Sequence, residues 1–379
     1  MTGVINLKII INASNLHVGG GIQVASSFIS ELSNLLQNEK YRLNMTVICS
    51  TKVFNSLPKG FNPKVFSKFK VENSFGLRPS SLMFDESLRN SDVCFTVFGP
   101  CYFFPKSKFN ICGFAQPWIA YPENLVNKQI SWLDRIKYKV KYSLQSLFFK
   151  RYDHLIVEQF HVKEALELLG FNGSRISVVS NTVSSLFNDH NQWGPIKFET
   201  AKLKFEFTLG FIGRPYLHKN IQVLTEVNEI LISEYNMNFN FLFTFDREEM
   251  KRLGFSKLEN FHTVGEINAS QCPSFYNLID ALVFPSLLEC FSATPIEAMK
   301  MKKVVLASDL PFVKEVCKDS AFYFNPVDAR DIAKTIALAF SDRELIKLKT
   351  DKALSYVSDL PTPSYRAQSY LDTIIRKHN

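Results

Sequence analysis

No two cysteines in this chain are spaced as C-x-x-C. The seven present, at positions 49, 94, 101, 112, 272, 290 and 317, are odd in number and widely scattered. That pattern argues against a disulfide framework and for free, mostly buried thiols in a reducing compartment. No Cys/His set has zinc-finger spacing and no heptad run adjoins a basic region, so the common nucleic-acid-binding modules are not expected. No apolar run reaches the roughly 18 residues that a membrane-crossing helix needs. The opening stretch Met1–Ile11 is short, carries Lys8 and has no small-residue cleavage site, so it reads as a first strand and not as a signal peptide. The sequence also lacks a G-x-G-x-x-G and a G-K-[ST], which disfavours a nicotinamide dehydrogenase and excludes a Walker loop. Low-complexity tracts and short-period repeats are missing as well.

What is present is a globular composition. Hydrophobic residues make up 46% and charged residues 21%, too apolar a mixture for a disordered chain. At 379 residues the chain is long enough for two domains. The 35 phenylalanines must be mostly core, because that many exposed rings would aggregate. Lys plus Arg outnumber Asp plus Glu by 44 to 36, and the resulting +8 suits a phosphate-rich ligand or an anionic membrane face.

The pattern along the chain alternates short β-branched runs with helical periodicity. Leu7–Ile11 (LKIII) reads as a buried parallel strand, followed by NASNLHVGGG and a helical pattern over Ile22–Leu36. Further strands are expected at 45–49, 93–98, 109–114, 154–157 and 176–179. Periodicity fades between about 188 and 205, where NDHNQWGPIKFETAK reads as a linker. The alternation restarts with strands at 207–212, 239–245, 261–264, 281–284 and 304–307, and helices between them. The expected organisation is a first domain over 1–190, a linker over 191–205, a second domain over 206–362 and a closing helical segment over 363–379. Each domain is a doubly wound, Rossmann-like α/β unit, a fold that binds ligands at the carboxyl ends of its strands.

Three loops at expected strand-to-helix junctions carry candidate chemistry. The first, PSLLECFSATPIEAM, holds Glu289 and Glu297 with seven residues between them, and Pro295 suits a first helical turn. The N–H groups near Phe291, Ser292, Ala293 and Thr294 would then form a site for a diphosphate at the positive helix end. A first-turn Glu297 would accept from a ribose diol and Glu289 from a sugar hydroxyl. Equally, Glu297 is simply a favourable helix-start acid and Glu289 a solvated loop residue. The second loop, GRPYLHKN, places Arg214 and Lys219 five apart, where they can converge on one anion or merely be solvated. The third contains Gly19, Gly20 and Gly21, which allow either close approach to a ligand or a tight turn.

Together and in this order, these features resemble the retaining glycosyltransferases of family 4, of GT-B architecture. The match is strongest over DALVFPSLLECFSATPIEAMKMKKVVLASDLPFVKEV. The resemblance implies two Rossmann-like domains facing a central cleft, with the donor nucleotide sugar held mainly by the second. Arg214 and Lys219 would neutralise the leaving diphosphate and, with Glu289, act at the reaction centre. Gly20, Gly21 and residues 291–294 would help bind the donor, with Glu297 on the ribose. It also implies no cofactor and no metal, in keeping with the lack of a D-x-D triplet. Cys290 and Ser292 stand where the family often has glycines. Gln116 stands where many members place a first-domain histidine, so His17, Gln116 and Trp118 are candidates for touching the acceptor, with His17 equally readable as structural.

Residues 132–152 (WLDRIKYKVKYSLQSLFFKRY) mix basic and aromatic side chains, which reads either as a helix docking on an anionic membrane or as a solvated basic face over an aromatic core stripe. The resemblance favours the membrane. It implies a cytoplasmic enzyme on the inner membrane face, extending a lipid-linked oligosaccharide, of the undecaprenyl-diphosphate kind, for surface polysaccharide such as O-antigen. The rival readings are a sugar-nucleotide epimerase on the same fold and a catalytically inactive binding partner.

Overall fold

The structure is a computed structural model, and it describes residues 7–37, 43–103 and 107–378. The part of the expected opening strand before Leu7 lies outside these residues. The described chain divides into two compact units. One comprises 1–122, 131–182 and 361–379, and the other 123–130 and 183–360.

The first unit is built on seven parallel strands in the order β3-β2-β1-β4-β5-β6-β7. They are β1 (Lys8–Ala13), β2 (Asn44–Cys49), β3 (Lys68–Val71), β4 (Val93–Thr96), β5 (Phe109–Gly113), β6 (His154–Val157) and β7 (Ile176–Val178). The second unit has six, in the order β10-β9-β8-β11-β12-β13. These are β8 (Thr208–Phe211), β9 (Asn240–Phe243), β10 (Phe261–Thr263), β11 (Ala281–Phe284), β12 (Val304–Ser308) and β13 (Phe322–Phe324). The helices are α1 (Gly20–Gln37), α2 (Thr51–Asn55), α3 (Pro117–Ala120), α4 (Trp132–Phe149), α5 (Phe160–Leu168), α6 (Val223–Tyr235) and α7 (Arg247–Arg252). They continue with α8 (Cys272–Asn277), α9 (Ala293–Lys300), α10 (Pro311–Cys317), α11 (Ala329–Ser341), α12 (Arg343–Ser358) and α13 (Pro363–His378).

Both sheets are doubly wound, as expected, because strands buried on both faces can be apolar at every position. In β1, Ile9 and Ile11 join one core and Ile10 the opposite one. In the second sheet, Phe241 and Phe243 turn to one face and Leu242 to the other. The phenylalanines concentrate there: the Phe243 ring lies 5.0 Å from Phe245 and 5.1 Å from Phe255, tilted contacts that fill volume. β3 and β13 escape sequence reading because KFKV and FYF are too short for a period to register.

Two boundaries differ from the sequence expectation. Residues 191–205, expected as a linker, pack on the second unit. The Gly194 N–H donates to Ser270 O at 2.7 Å, and Ile196 and Phe198 rest on its core. Gly and Pro there reflect an irregular path over a surface, not a free tether. Residues 123–130 also join the second unit, through Gln129 Nε2 donating to Asn220 Oδ1 at 2.9 Å. The closing helix α13 returns to the first unit, where Tyr370 sets its ring 5.1 Å from Phe28 of α1 and 5.4 Å from Phe95 of β4.

The aromatic residues of 132–152 mostly face inward. Trp118 of α3 lies 4.8 Å from the Tyr138 ring and stacks on Tyr142 at 5.6 Å, and Phe149 is buried against Phe114 at 4.7 Å. No helix among the described residues is long and apolar enough to cross a membrane.

Gly113 ends β5 with no room for a side chain, since a Cβ would sit 1.7 Å from the Val97 carbonyl oxygen. A backbone obstacle cannot rotate away, so Gly113→Ala is expected to cost about 3 kcal/mol, at the upper end for overpacking. Calorimetric unfolding at unchanged activity per folded molecule checks it; an unshifted transition would show that β4 and β5 can part freely.

Candidate active site

In the second sheet the winding reverses between β8 and β11, which are neighbours. The loops leaving their carboxyl ends, 212–222 and 285–292, therefore run side by side. Gly213 opens the first of these at φ +133, a backbone shape that side chains rarely adopt, and its N–H donates to Thr244 Oγ1 at 2.9 Å. Asn220 closes it in the left-handed region, its amide donating to Pro326 O at 2.7 Å. The two loops are tied to each other: Leu287 N donates to His218 O at 2.7 Å, and Ser286 Oγ lies 3.3 Å from the same oxygen.

This frame brings Lys219 and Glu289 together. Their side chains form an ion pair while only 14% and 13% exposed. Ser286, fully buried, donates to the same Glu289 oxygen at 2.8 Å. The Lys219 ammonium also stands 5.3 Å from the centre of the Phe284 ring, whose face attracts it. His218 is held below its usual pKa by burial, opposed by the Glu289 charge and aided by Lys219. Arg214 points elsewhere in this state. Its guanidinium meets Glu266 at 3.0 Å, with both side chains 55% exposed. The expected convergence of Arg214 and Lys219 thus splits between two carboxylates, and an exposed pair of this kind is easily exchanged for another anion.

Beyond Glu289, α9 begins at Ala293 with Ser292 as its N-cap. Ser292 makes no side-chain cap bond, so the first-turn N–H groups are left without that partner at the positive end of the helix. The expectation for Glu297 needs correction. α9 starts two residues before Pro295, so Glu297 falls in the second turn and not the first. It is 8% exposed, and Tyr276 OH lies 3.1 Å from its Oε2 and 3.0 Å from Thr294 O.

In the first sheet the reversal falls between β1 and β4. The segments that follow them, with contributions from 74–78 and α4, line a cavity of about 440 Å³. His17 and Gln116 are on its wall and Trp118 is not. His17 stacks on Phe75 at 4.2 Å and its Nε2 lies 2.7 Å from Ser74 O, so the ring is fixed in place. Gln145 of α4 also lines the cavity, with its Nε2 donating to Tyr102 OH at 3.0 Å. Gly20 and Gly21 begin α1 beside this cavity's His17 loop, in the first unit.

Residues 195–355 match the family described as Glycosyl transferases group 1. That segment is similar to the family's members. The curated relatives include the O-antigen chain mannosyltransferase RfbU of Salmonella typhimurium, 24% identical over 216 residues, which are 55% of this chain and 54% of that protein. The chain thus spans about half the length of this relative. Among solved structures, a glycosyltransferase from Rickettsia africae superposes with a TM-score of 0.68 at 17% identity, covering 98% of each chain. Alr3699/HepE of Anabaena, in complex with UDP and glucose, gives 0.68 at 14% identity, covering 98% of this chain and all of that one. The fold is that of the GT-B glycosyltransferases, with two Rossmann-like units.

Sequence reading passed over Ser286 and Tyr276 in this segment. Ser286 left a faint signal, lying three residues before Glu289 in the same loop. Tyr276 left none, because its link to Glu297 exists only once α8 and α9 pack. Burial raises the Glu297 carboxyl from an ordinary 4.5 to about 7, partly offset by the Tyr276 hydrogen bond. One tyrosine proton cannot serve two acceptors fully, and a protonated Glu297 supplies the second. A carboxyl whose pKa is higher folded than unfolded favours the fold below 4.5 and loses that contribution as pH rises to about 7. Glu158 in the first unit is raised to about 7 by burial as well and acts in the same direction. Glu297→Gln is therefore expected to flatten the fall in stability between pH 4.5 and 7 by about 3 kcal/mol while leaving the Glu158 share. Urea unfolding across that range is the check, and an unchanged slope would mean Glu297 is charged in the fold.

Proposed function

We propose that the chain is a retaining glycosyltransferase that moves a hexose-type sugar from a nucleoside-diphosphate sugar to a lipid-linked oligosaccharide. We take the acceptor to be of the undecaprenyl-diphosphate kind, used at the inner membrane face in making surface polysaccharide. The observation that carries this reading is the half-buried Lys219–Glu289 pair at the β8/β11 reversal, inside the segment that matches Glycosyl transferases group 1. The RfbU likeness supports O-antigen synthesis and a mannose donor, and HepE, solved with UDP and glucose, supports a nucleoside diphosphate as the leaving group.

In this reading the donor diphosphate takes Lys219 from Glu289 and draws in Arg214 from Glu266. Positive charge is then greatest where negative charge develops as the glycosidic bond breaks, which lowers the barrier without a metal ion or cofactor. Glu289, released but still held by Ser286, turns to the sugar hydroxyls. The N–H groups of Phe291–Thr294, at and just before the start of α9, take phosphate oxygens. Glu297 holds the ribose as an acceptor when charged or a donor when protonated, and Gly20 and Gly21 are assigned to close approach of the donor. His17, Gln116 and Trp118 are assigned to the acceptor side, the first two as cavity lining and Trp118 as support for α4.

Purified protein incubated with mannose and glucose donors on guanosine and uridine diphosphate, plus a lipid extract, should release nucleoside diphosphate from one donor only when the extract is present. Lys219→Ala should lower kcat/KM by about a hundredfold or more, the scale of one lost transition-state contact. Release without lipid but dependent on a soluble sugar would remove the lipid-linked acceptor. Donor isomerised without any acceptor would establish an epimerase instead. A folded protein that processes none of these donors would point to the inactive binding partner or to a donor outside this set.

A further inference from the structure

Helix α4 is held to the first unit by one side. Tyr138, Tyr142, Gln145 and Phe149 all project from an arc spanning about 60° of its circumference, and they make the Trp118, Tyr102 and Phe114 contacts described above. The outward side of such a helix is ordinarily polar. Here Trp132, Leu133, Ile136, Val140, Leu144 and Leu147 are each more than half exposed. At about 100° per residue they fall within a single arc of about 120°, opposite the anchored side. Lys137 and Lys141 border one edge of this stripe, and Arg135 and Lys139 the other. The one acid in the helix, Asp134, is spent on Ser131 and Lys137.

An exposed contiguous apolar stripe of this length marks a binding surface. Its margins decide the partner. A second copy laid on the stripe would press one lysine row against another, whereas anionic headgroups would meet cations along both edges while acyl chains receive the leucines. Trp132 stands at the end of the stripe, an aromatic suited to the bilayer interface. We propose that the Leu133–Leu147 face of α4 lies in the headgroup region of an anionic bilayer, with the helix axis parallel to its surface. This deepens the membrane contact proposed above and depends on it only for the source of the lipid. It differs from the sequence expectation in the side chains used, since the tyrosines and Phe149 anchor the helix and the aliphatic residues enter the lipid.

The test is co-sedimentation of the full chain with vesicles of mixed phosphatidylglycerol and phosphatidylcholine, against vesicles of phosphatidylcholine alone. Ile136→Glu/Val140→Glu and Lys137→Glu/Lys141→Glu are run beside it, with circular dichroism, thermal unfolding and light scattering as controls. The wild type should bind the anionic vesicles, and each double variant should bind about tenfold or more weakly with its fold intact. The proposal is overturned if the wild type ignores anionic vesicles or the variants bind as well as it does. It is overturned equally if Ile136→Glu/Val140→Glu splits a dimer while vesicle binding persists, which would give the stripe to a second copy. Binding of nucleoside diphosphate in the absence of vesicles, measured on the same proteins, separates this result from the glycosyltransferase reading. Loss of vesicle binding with nucleotide binding kept supports the α4 surface, and failure of nucleotide binding in the wild type removes only the transferase.

Discussion

In a parallel sheet, neighbouring strands send their outgoing loops to opposite sides only where the winding reverses, and a crevice opens there. Everything of chemical interest in this protein follows from that constraint. In the second sheet the reversal separates β8 from β11, and the loops beyond them carry Arg214, Lys219, Ser286 and Glu289. In the first sheet it separates β1 from β4, and much of the lining of the 440 Å³ cavity leaves those strands. The rest of each unit keeps those loop ends fixed: β-branched and phenylalanine-rich strands buried on both faces, helices over both, and Asn220 and Gly213 shaping the chain where it leaves the sheet.

Under the proposed function the Lys219–Glu289 pair would solve a problem of charge. A lysine that must receive a diphosphate cannot wait buried and unpaired, because an isolated buried ammonium is costly. Glu289, steadied by Ser286, and the Phe284 ring satisfy it in this structure. In the proposed function an arriving diphosphate would replace one partner by another, so little net charge would have to be desolvated. Arg214, paired at the surface with Glu266, can join at small cost. Glu297 is the opposite case, a carboxyl with no cationic partner among the described residues, buried deeply enough to be raised to about 7.

The fold was legible to a large extent because it repeats one simple pattern. Long apolar runs such as LKIII and ALVF can only be buried strands when helical periodicity separates them. The E-x7-E and GRPYLHKN segments follow β11 and β8, two neighbouring strands. What the sequence hid was set by contacts between distant residues. Glu297 moved from a helix start into a core because α9 begins before Pro295, and Tyr276 claimed it from another helix. Residues 191–205 looked like a tether because an irregular path and a flexible one share a composition. In α4 the sequence announced basic and aromatic residues, but which side they took was decided by Trp118 packing on the tyrosines.

The central claim is that Glu289 holds Lys219 in place of a diphosphate. Calorimetric titration of uridine and guanosine diphosphate into the wild type, Lys219→Ala and Glu289→Gln tests it most directly. The account predicts weaker binding for Lys219→Ala and tighter binding for Glu289→Gln, since the amide no longer competes for the ammonium. Weaker binding of both nucleotides by Glu289→Gln, to the same degree as by Lys219→Ala, would contradict it.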